Sequence, residues 1–238
     1  KEKRYNINIV YVDNEEEIDA AMLGTVQDGH MVHSPDGINT YRVNMKSIRG
    51  DYKDGEENKN RLRLWEKTDF IPRPSDIFQE RLYCVQWMKK KPNSRKYNYE
   101  FRSVTNEDIE REQVVIDYVT AHFYDWQRNG YIPNTLIEEG TKTNEPVRTR
   151  GWTHWHHLFN HRQFLLGAFY RQYLDHNSLV AFNKLLDYNA KLCRWHSNPG
   201  PGRVGKTENV FYNQALNTLF DYACRASSWM SEFFESPF

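Results

Sequence analysis

The stretch Tyr97-Asn98-Tyr99-Glu100-Phe101-Arg102-Ser103-Val104, followed at once by Thr105-Asn106-Glu107-Asp108, decides the fold. Tyr97 to Val104 reads as a strand returning from a turn. From residue 105 the period becomes helical. Thr105 can cap a helix, and Asp108 stands three residues later in capping-box geometry, an Asp in place of the usual Glu. Val115, Val119, His122 and Trp126 then fall at i, i+4, i+7 and i+11, one continuous stripe, until Asn129-Gly130 stops it. The chain changes character at about residue 104.

Upstream of that point, strands and turns dominate. Tyr5 to Val12 reads as a strand with Ile7, Ile9 and Tyr11 on one face. Asp28-Gly29 separates Gly24-Thr25-Val26 from His30-Met31-Val32 as a short hairpin, and Pro35-Asp36-Gly37 leads into Asn39 to Val43. Asp51 to Asn60 is a polar run around Asp54-Gly55 and reads as a loop. Leu62, Leu64 and Phe70 are candidate inward positions, and Ile71-Pro72-Arg73-Pro74 is extended. Leu82 to Trp87 is a strand. The basic run Lys89 to Lys96 turns it back, and Lys89, Lys90, Lys91, Arg95 and Lys96 could meet phosphate or form a solvated hairpin tip.

Downstream, Tyr131 to Gly151 reads as a long connector. Asn160 and Gln163 make a capping box for a helix running to about Leu174. A second helix starts near Asn177-Ser178 and runs through Leu179, Phe182, Leu185, Leu186 and Leu192 to Trp195. Ser197 to Gly205 breaks it, and a third helix is expected from about Glu208 to Phe234. The expected fold is therefore α+β. Residues 1–104 form a β-rich N-terminal lobe with degenerate ribbon-like hairpins, and residues 105–238 a mainly helical C-terminal domain with a basic surface.

Composition supports a folded chain of one large or two modest domains: 238 residues, 39% apolar, 27% charged, 15% aromatic. Lys plus Arg equals Asp plus Glu at 32 each, which excludes a uniformly basic coat. The neutrality is local bookkeeping of opposites. Residues 1–60 carry 8 Lys/Arg against 12 Asp/Glu, a net of −4, whereas residues 148–225 carry 10 against 4, a net of +6. Mean hydropathy is −0.86, and no apolar run approaches a membrane span. Cys84, Cys193 and Cys224 are few and far apart, which argues against a disulfide framework and for a reducing, cytoplasmic setting. The chain opens on Lys1-Glu2-Lys3-Arg4 with neither an initiator Met nor an apolar signal, as a piece of a longer polypeptide would.

Chemistry is hard to find in the residues themselves. Gly200-Pro201-Gly202-Arg203-Val204-Gly205-Lys206-Thr207 matches the phosphate-loop pattern letter for letter. Such a loop needs a feeding strand, and here a helix is expected before it; Pro201 also removes an amide that the loop would donate. A connector touching DNA through Arg203 and Lys206 fits better. His154, His156, His157 and His161 cluster, yet no acid lies between Thr149 and Tyr173, and a helix start at Asn160 would make them diverge. Aromatic packing fits them better than zinc. The three cysteines sit in apolar elements as core thiols.

At Trp152 to Gln163 and at Asp187 to Arg225 the chain resembles a known family, the large DUF1156-containing adenine-specific DNA methylases of zinc-ribbon type. Trp155-His156-His157-Leu158-Phe159-Asn160-His161-Arg162-Gln163 resembles the family's Trp-x-x-Leu-Phe-Thr-Pro-Arg-Gln tract. Asp187-Tyr188-Asn189-Ala190-Lys191-Leu192-Cys193-Arg194-Trp195 is similar to its DYNSxLCRW signature, and Asn209-Val210-Phe211-Tyr212-Asn213-Gln214-Ala215-Leu216 to its NxFxxQAL stretch. Weaker likeness covers Gly24 to Gly37, where the ribbon's cysteines are replaced and zinc is not carried over, as well as Leu82 to Val85 and Tyr99 to Asp108. The family's methyl-donor loop and its Asp-Pro-Pro-Tyr tetrad have no counterpart here.

The resemblance implies a central segment of an adenine-specific DNA methyltransferase, contributing duplex-DNA binding or target recognition. Its catalytic parts would lie elsewhere, in cis or in trans. S-adenosylmethionine is implied for that parent protein and no cofactor for this chain. Arg148, Arg150, Arg162, Arg194, Arg203 and Lys206 are the candidate phosphate contacts, and Asn189 and Gln214 the candidate base or pocket contacts. Arg162 and Arg194 fit arginines stacked in a helical interior equally well. The alternative is a protein-interaction module docking to a methylase or helicase subunit of a restriction-modification or other defence system, which the tryptophans and tyrosines would also suit.

Overall fold

Two units divide the chain, one of residues 1–61 and 77–106, the other of 62–76 and 107–238. The computed structural model describes residues 7–34, 37–93, 97–196, 205–212 and 221–227. Strands precede helices and the sheets are small and antiparallel, so the protein is α+β. The division falls beside the expected break at 104, with one departure: Leu62–Asp76 belongs with the helices.

In the first unit α1 (Glu15–Leu23) starts where Asn14 Oδ1 accepts the Glu17 N–H at 2.8 Å. Glu15, Glu16 and Glu17 in its first turn suit the positive end of the helix dipole. No residue of α1 is buried, and its Ile18, Ala21 and Met22, spaced i, i+3 and i+4, stay exposed. β1 (Val26–Gln27) and β2 (His30–His33) turn at Asp28 and Gly29, both left-handed, with φ 48 and 71. β3 (Tyr41–Asn44) completes a three-stranded sheet, and α2 (Met45–Ile48) follows under an Asn44 cap.

Asp51–Asn60, expected as a loop, is instead a hairpin of β4 (Asp51–Asp54) and β5 (Glu57–Asn60). Every side chain on it is exposed, so no alternation marks it. Lys59 with Asp54, and Asn60 with Asp51, link its strands. β6 (Cys84–Lys90) and β7 (Tyr97–Ser103) pair from Cys84↔Ser103 to Lys90↔Tyr97, as the sequence predicts. The strand expected over 5–12 is not one across its described part. Residues 7–12 are irregular and lie along β7: Ile9 N–H donates to Ser103 Oγ at 2.8 Å, and Tyr11 Oη both donates to the Phe101 carbonyl and accepts its N–H.

The second unit is built on α3 (Asn106–Arg128), which ends as expected at Gly130, φ 69. Val119, Phe123 and Trp126 are its buried stripe. Within the expected connector lies α4 (Asn144–Arg150), closed by Gly151. A 3-10 turn, Trp155–Leu158, leads to α5 (His161–Tyr173), whose Asn160/Gln163 capping box forms as the spacing predicts. α6 (Leu179–Asp187) stops eight residues short of the expected Trp195. The apolar residues beyond it, Ala190, Leu192 and Cys193, are buried in turns. β8 (Trp195–His196) then pairs with β9 (Lys206–Thr207). The third helix does not form over 208–212 or 221–226, and the remainder of that expectation lies outside the described residues.

Leu62–Asp76 is the strap that closes this unit. Phe70 stacks on Phe123 with ring centroids 5.0 Å apart and meets Phe164 edge-on. Trp65 N–H donates to the Gly151 carbonyl at 2.7 Å, and Thr153 Oγ1 donates to the Trp65 carbonyl at 2.6 Å. Arg63 bridges Asp69 at 2.6 Å and Asp76 at 2.7 Å. Of the expected inward residues Phe70 is buried, Leu64 is exposed, and Trp65 does most of the burying. Gly151 has φ 74, and a Cβ there would lie 2.0 Å from the Arg63 carbonyl oxygen. Gly151→Ala therefore forces strap and helix end apart. We expect a loss of about 2–4 kcal/mol in urea unfolding, and unchanged stability would show that the strap does not depend on this approach.

Candidate functional site

Trp155–Gln163, Asp187–Trp195 and the described part of 209–216 meet in the second unit. Lys191 N–H donates to the Leu158 carbonyl at 2.7 Å, tying the Asp187–Trp195 stretch to the Trp155–Gln163 stretch. Gln163 Nε2 donates to Asn189 Oδ1 at 3.3 Å. Val210 N–H donates to the Asp187 carbonyl at 2.7 Å, Asn209 Nδ2 reaches the Asp187 carboxylate at the same distance, and Phe211 meets Trp155 edge-on. Leu158 and Leu192 share a core cluster with Trp65 and Trp152. Ten of the 22 described motif residues are buried, eleven are half-buried and Tyr212 is exposed.

The histidines follow the packing expectation. His157 is fully buried. Its Nδ1 accepts the N–H groups of Thr153 and His154, at 3.0 and 3.2 Å, so Nε2 carries the proton and donates to the Glu66 carbonyl at 3.0 Å. Both ring nitrogens are thereby used. Burial, reinforced by His156 and Lys191, pushes His157 down to about 2. His156, buried against Phe123 and with Nδ1 accepting from Gln127 at 3.5 Å, is pushed down to about 4, chiefly by burial. No group of three or more His, Cys, Asp or Glu among the described residues is arranged to hold a metal. His161 turns to the far side of the helix start and pairs with Glu112 of α3, a carboxylate 49 residues away that no local spacing could reveal. Burial pushes the Glu112 carboxyl up, and the His161 hydrogen bond with the Arg162 and His161 charges outweighs it, leaving it below its usual value.

Cys193 is a core thiol as expected and Cys224 is half-buried, whereas Cys84, on β6, is half-buried on a strand with no buried residue and is not the core thiol expected. Burial raises Cys193 to about 12 and Cys224 to about 11, the opposite of what a thiolate nucleophile needs. The phosphate-loop pattern also fails at its described end, because Lys206 and Thr207 lie on a strand and not at a helix start.

The structure separates the candidate DNA contacts. Asn189 is interior: its Oδ1 accepts Gln163 Nε2 and the Arg225 N–H, so it is a core linker and not a free base contact. Arg150 is buried at the end of α4. Arg162 lies 3.0 Å from Glu112. Arg148, 72% exposed, pairs with Glu145 on the same helix. Arg203 and Gln214 lie outside the described residues.

Arg194 and Lys206 are brought together. Glu208, with 10% of its side chain exposed, receives Arg194 on Oε2 at 3.3 Å. Its Oε1 lies 3.3 Å from His196 Nδ1 and 3.6 Å from Lys206 Nζ. The Arg194 guanidinium also covers the Tyr212 ring at 4.6 Å, while Tyr212 itself is exposed. Arg194, just before β8, and Lys206 on β9 thus form a cationic rim over one sunken carboxylate. Burial pushes Glu208 up, and the His196 hydrogen bond with the surrounding positive charges outweighs it and holds the carboxylate ionised. Glu208 is not legible as a partner in the sequence, where a helix is expected to Trp195 and a break over Ser197 to Gly205, with no strand pairing across them.

No protein-family model matches, and no curated protein or solved structure matches either. No helix among the described residues is long and apolar enough to cross a membrane.

The buried histidines set a pH dependence. A histidine whose folded pKa is depressed binds its proton first in the unfolded chain, near 6.5, so stability is intact above that pH and falls as pH drops toward the folded value. Between pH 6.5 and 4 we expect His156 and His157 each to contribute a slope of about 1.4 kcal/mol per pH unit. His156→Gln should remove one such slope in urea titrations across that window. An unchanged slope would mean that this imidazole is charged in the folded protein.

Proposed function

We propose that this chain is a DNA-contacting segment of an adenine-specific DNA methyltransferase, contributing duplex binding or target recognition while the methyl-transfer residues lie outside it. The observation that supports the reading is the convergence of the three family-like stretches, Trp155–Gln163, Asp187–Trp195 and the described part of 209–216, into one packed centre. The same centre presents Arg194 and Lys206 on its exposed rim, with Arg148 exposed elsewhere on the unit.

The sequence has neither a glycine-rich donor loop after a strand nor an Asp-Pro-Pro-Tyr tetrad. Its residues do not fit S-adenosylmethionine, and no chemical step is assigned to it here. Its part is to hold the duplex while chemistry proceeds on other parts, in cis or in trans.

A second reading, a module that docks to a methylase or helicase subunit, is favoured by apolar and aromatic side chains exposed on the helices: Val114, Tyr118 and Tyr124 on α3, with Phe169 and Tyr173 on α5. Duplex binding separates the two. On the first reading the whole chain binds duplex DNA with log K falling steeply against log salt, by about 0.9 per phosphate contact. Lys206→Ala and Arg148→Ala should each flatten that slope by about 0.9. Absence of binding, or binding indifferent to salt, would overturn the DNA reading in favour of the second.

A further inference from the structure

The β6–β7 ribbon of the first unit stands apart in charge. None of its residues is buried, from Cys84 to Lys90 or from Tyr97 to Ser103. An isolated two-stranded ribbon is marginal in water, and this one is tied down near its base by Ile9 and Tyr11, which hydrogen-bond to Ser103 and Phe101. Away from that base Lys89 and Lys90 are exposed.

Charge is segregated onto it. Residues 84–103 carry 6 Lys/Arg against 1 acid, in the same unit whose residues 1–60 have a net of −4. Lys89, Lys90 and Lys91 are all exposed. Among the described residues the ribbon's one acid, Glu100, is engaged by Arg102 at 2.9 Å, and no carboxylate pairs with the three lysines. Three adjacent ammonium groups repel one another, a cost that an anionic partner would relieve. The pairing register places Lys89 opposite Asn98 and Lys90 opposite Tyr97, so cations point from both faces of the ribbon. Behind Lys89 on its face comes Trp87, 54% exposed, opposite Glu100.

We infer that the β6–β7 ribbon is a second DNA contact, whose lysine tip and Trp87 face enter the major groove of a duplex. This rests on the DNA reading above for its ligand and uses none of the residues of the β8–β9 rim. Two paired strands stand about 4.8 Å apart and, with side chains, make a body that the major groove, about 12 Å wide, admits. Lys89 shares the face of Trp87 and Asn98 and reaches the base edges with them, the Glu100 carboxylate on that face being engaged by Arg102, while Lys90 on the opposite face and Lys91 beyond the paired strand meet phosphates.

The test compares the whole chain with a Lys89→Ala/Lys90→Ala/Lys91→Ala variant on a 20-base-pair duplex, by fluorescence anisotropy over a series of salt concentrations. Since the three residues are exposed and unpaired, melting should be unchanged. Binding at 100 mM salt should weaken on the order of tenfold or more, and the salt slope should flatten by about 2–3. A duplex whose major groove is blocked by bulky base substituents should lose affinity for the parent chain and little for the variant. If Lys206→Ala and Arg148→Ala weaken binding and the tip variant does not, the ribbon assignment falls while the DNA reading stands. If the parent chain binds no duplex, both fall. Equal loss of binding to phosphatidylserine vesicles, with no effect of blocking the groove, would reduce the tip to a general anion contact and overturn the groove assignment.

Discussion

A lysine held between two indole faces is the constraint on which the helical unit depends. Lys191 is fully buried, with Nζ 4.5 Å from the Trp152 ring centroid and 4.8 Å from that of Trp65. Taking an ammonium out of water costs several kcal/mol, and each desolvated aromatic face returns roughly 2 kcal/mol. Such a site persists when everything around it is fixed. Here that means three distant segments: the strap that carries Trp65, the chain leaving α4 that carries Trp152, and the turn after α6 that carries Lys191 itself. His157 completes the enclosure, its ring 5.1 Å from that of Trp65. It stays neutral because burial opposes its charge and because Lys191 already supplies a positive one. One cation fits this interior, and the hydrogen bonds of the imidazole are arranged for the uncharged ring.

That dependence explains which features were legible in the sequence. Local signals are legible: the Asp28-Gly29 turn, the pairing of β6 with β7 and the Asn160/Gln163 box each rest on residues a few positions apart. The helical period of α3 is legible too, although Phe123 takes the buried place expected of His122. The strap is not. Its contacts join Trp65 to Gly151 and Thr153 and Glu66 to His157, across about 85 to 90 residues, and nothing local marks them. α1 and the β4–β5 hairpin differ again: they bury nothing, so no packing partner stands behind their local pattern. The overlong α6 is the converse. Ala190, Leu192 and Cys193 are apolar because the turns that hold them are buried, and spacing alone does not separate a buried turn from a buried helix.

The candidate site was legible in kind and not in arrangement. Cationic residues of the C-terminal half were visible as a net charge, but their partners were not. Arg162 meets Glu112 from α3, and Arg194 and Lys206 share Glu208 across a strand pair that sequence reading had assigned to helix and break. Asn189, chosen because it lies in a family-like signature, turns out to link Gln163 to the Arg225 backbone. A signature made of interior residues reports on the fold it builds. The surface that meets a ligand has to be found separately, from exposure and charge.

Ion pairing on that surface does not remove a cation from use. An exposed Arg–Glu or Lys–Glu pair is worth about 0–1 kcal/mol, because water and salt already screen both charges. A duplex phosphate brings the same charge as the carboxylate and releases condensed counterions as well. Arg148 can therefore leave Glu145 at little cost. At the β8–β9 rim the carboxylate is sunken and the cations are not, with Arg194 37% and Lys206 55% exposed above Glu208. On the DNA reading proposed above, a phosphate approaching from solvent would meet the cations first and need not displace Glu208. The carboxylate would then act on geometry, holding Arg194 and Lys206 in one direction, where two separate flexible cations would each have to be ordered on binding.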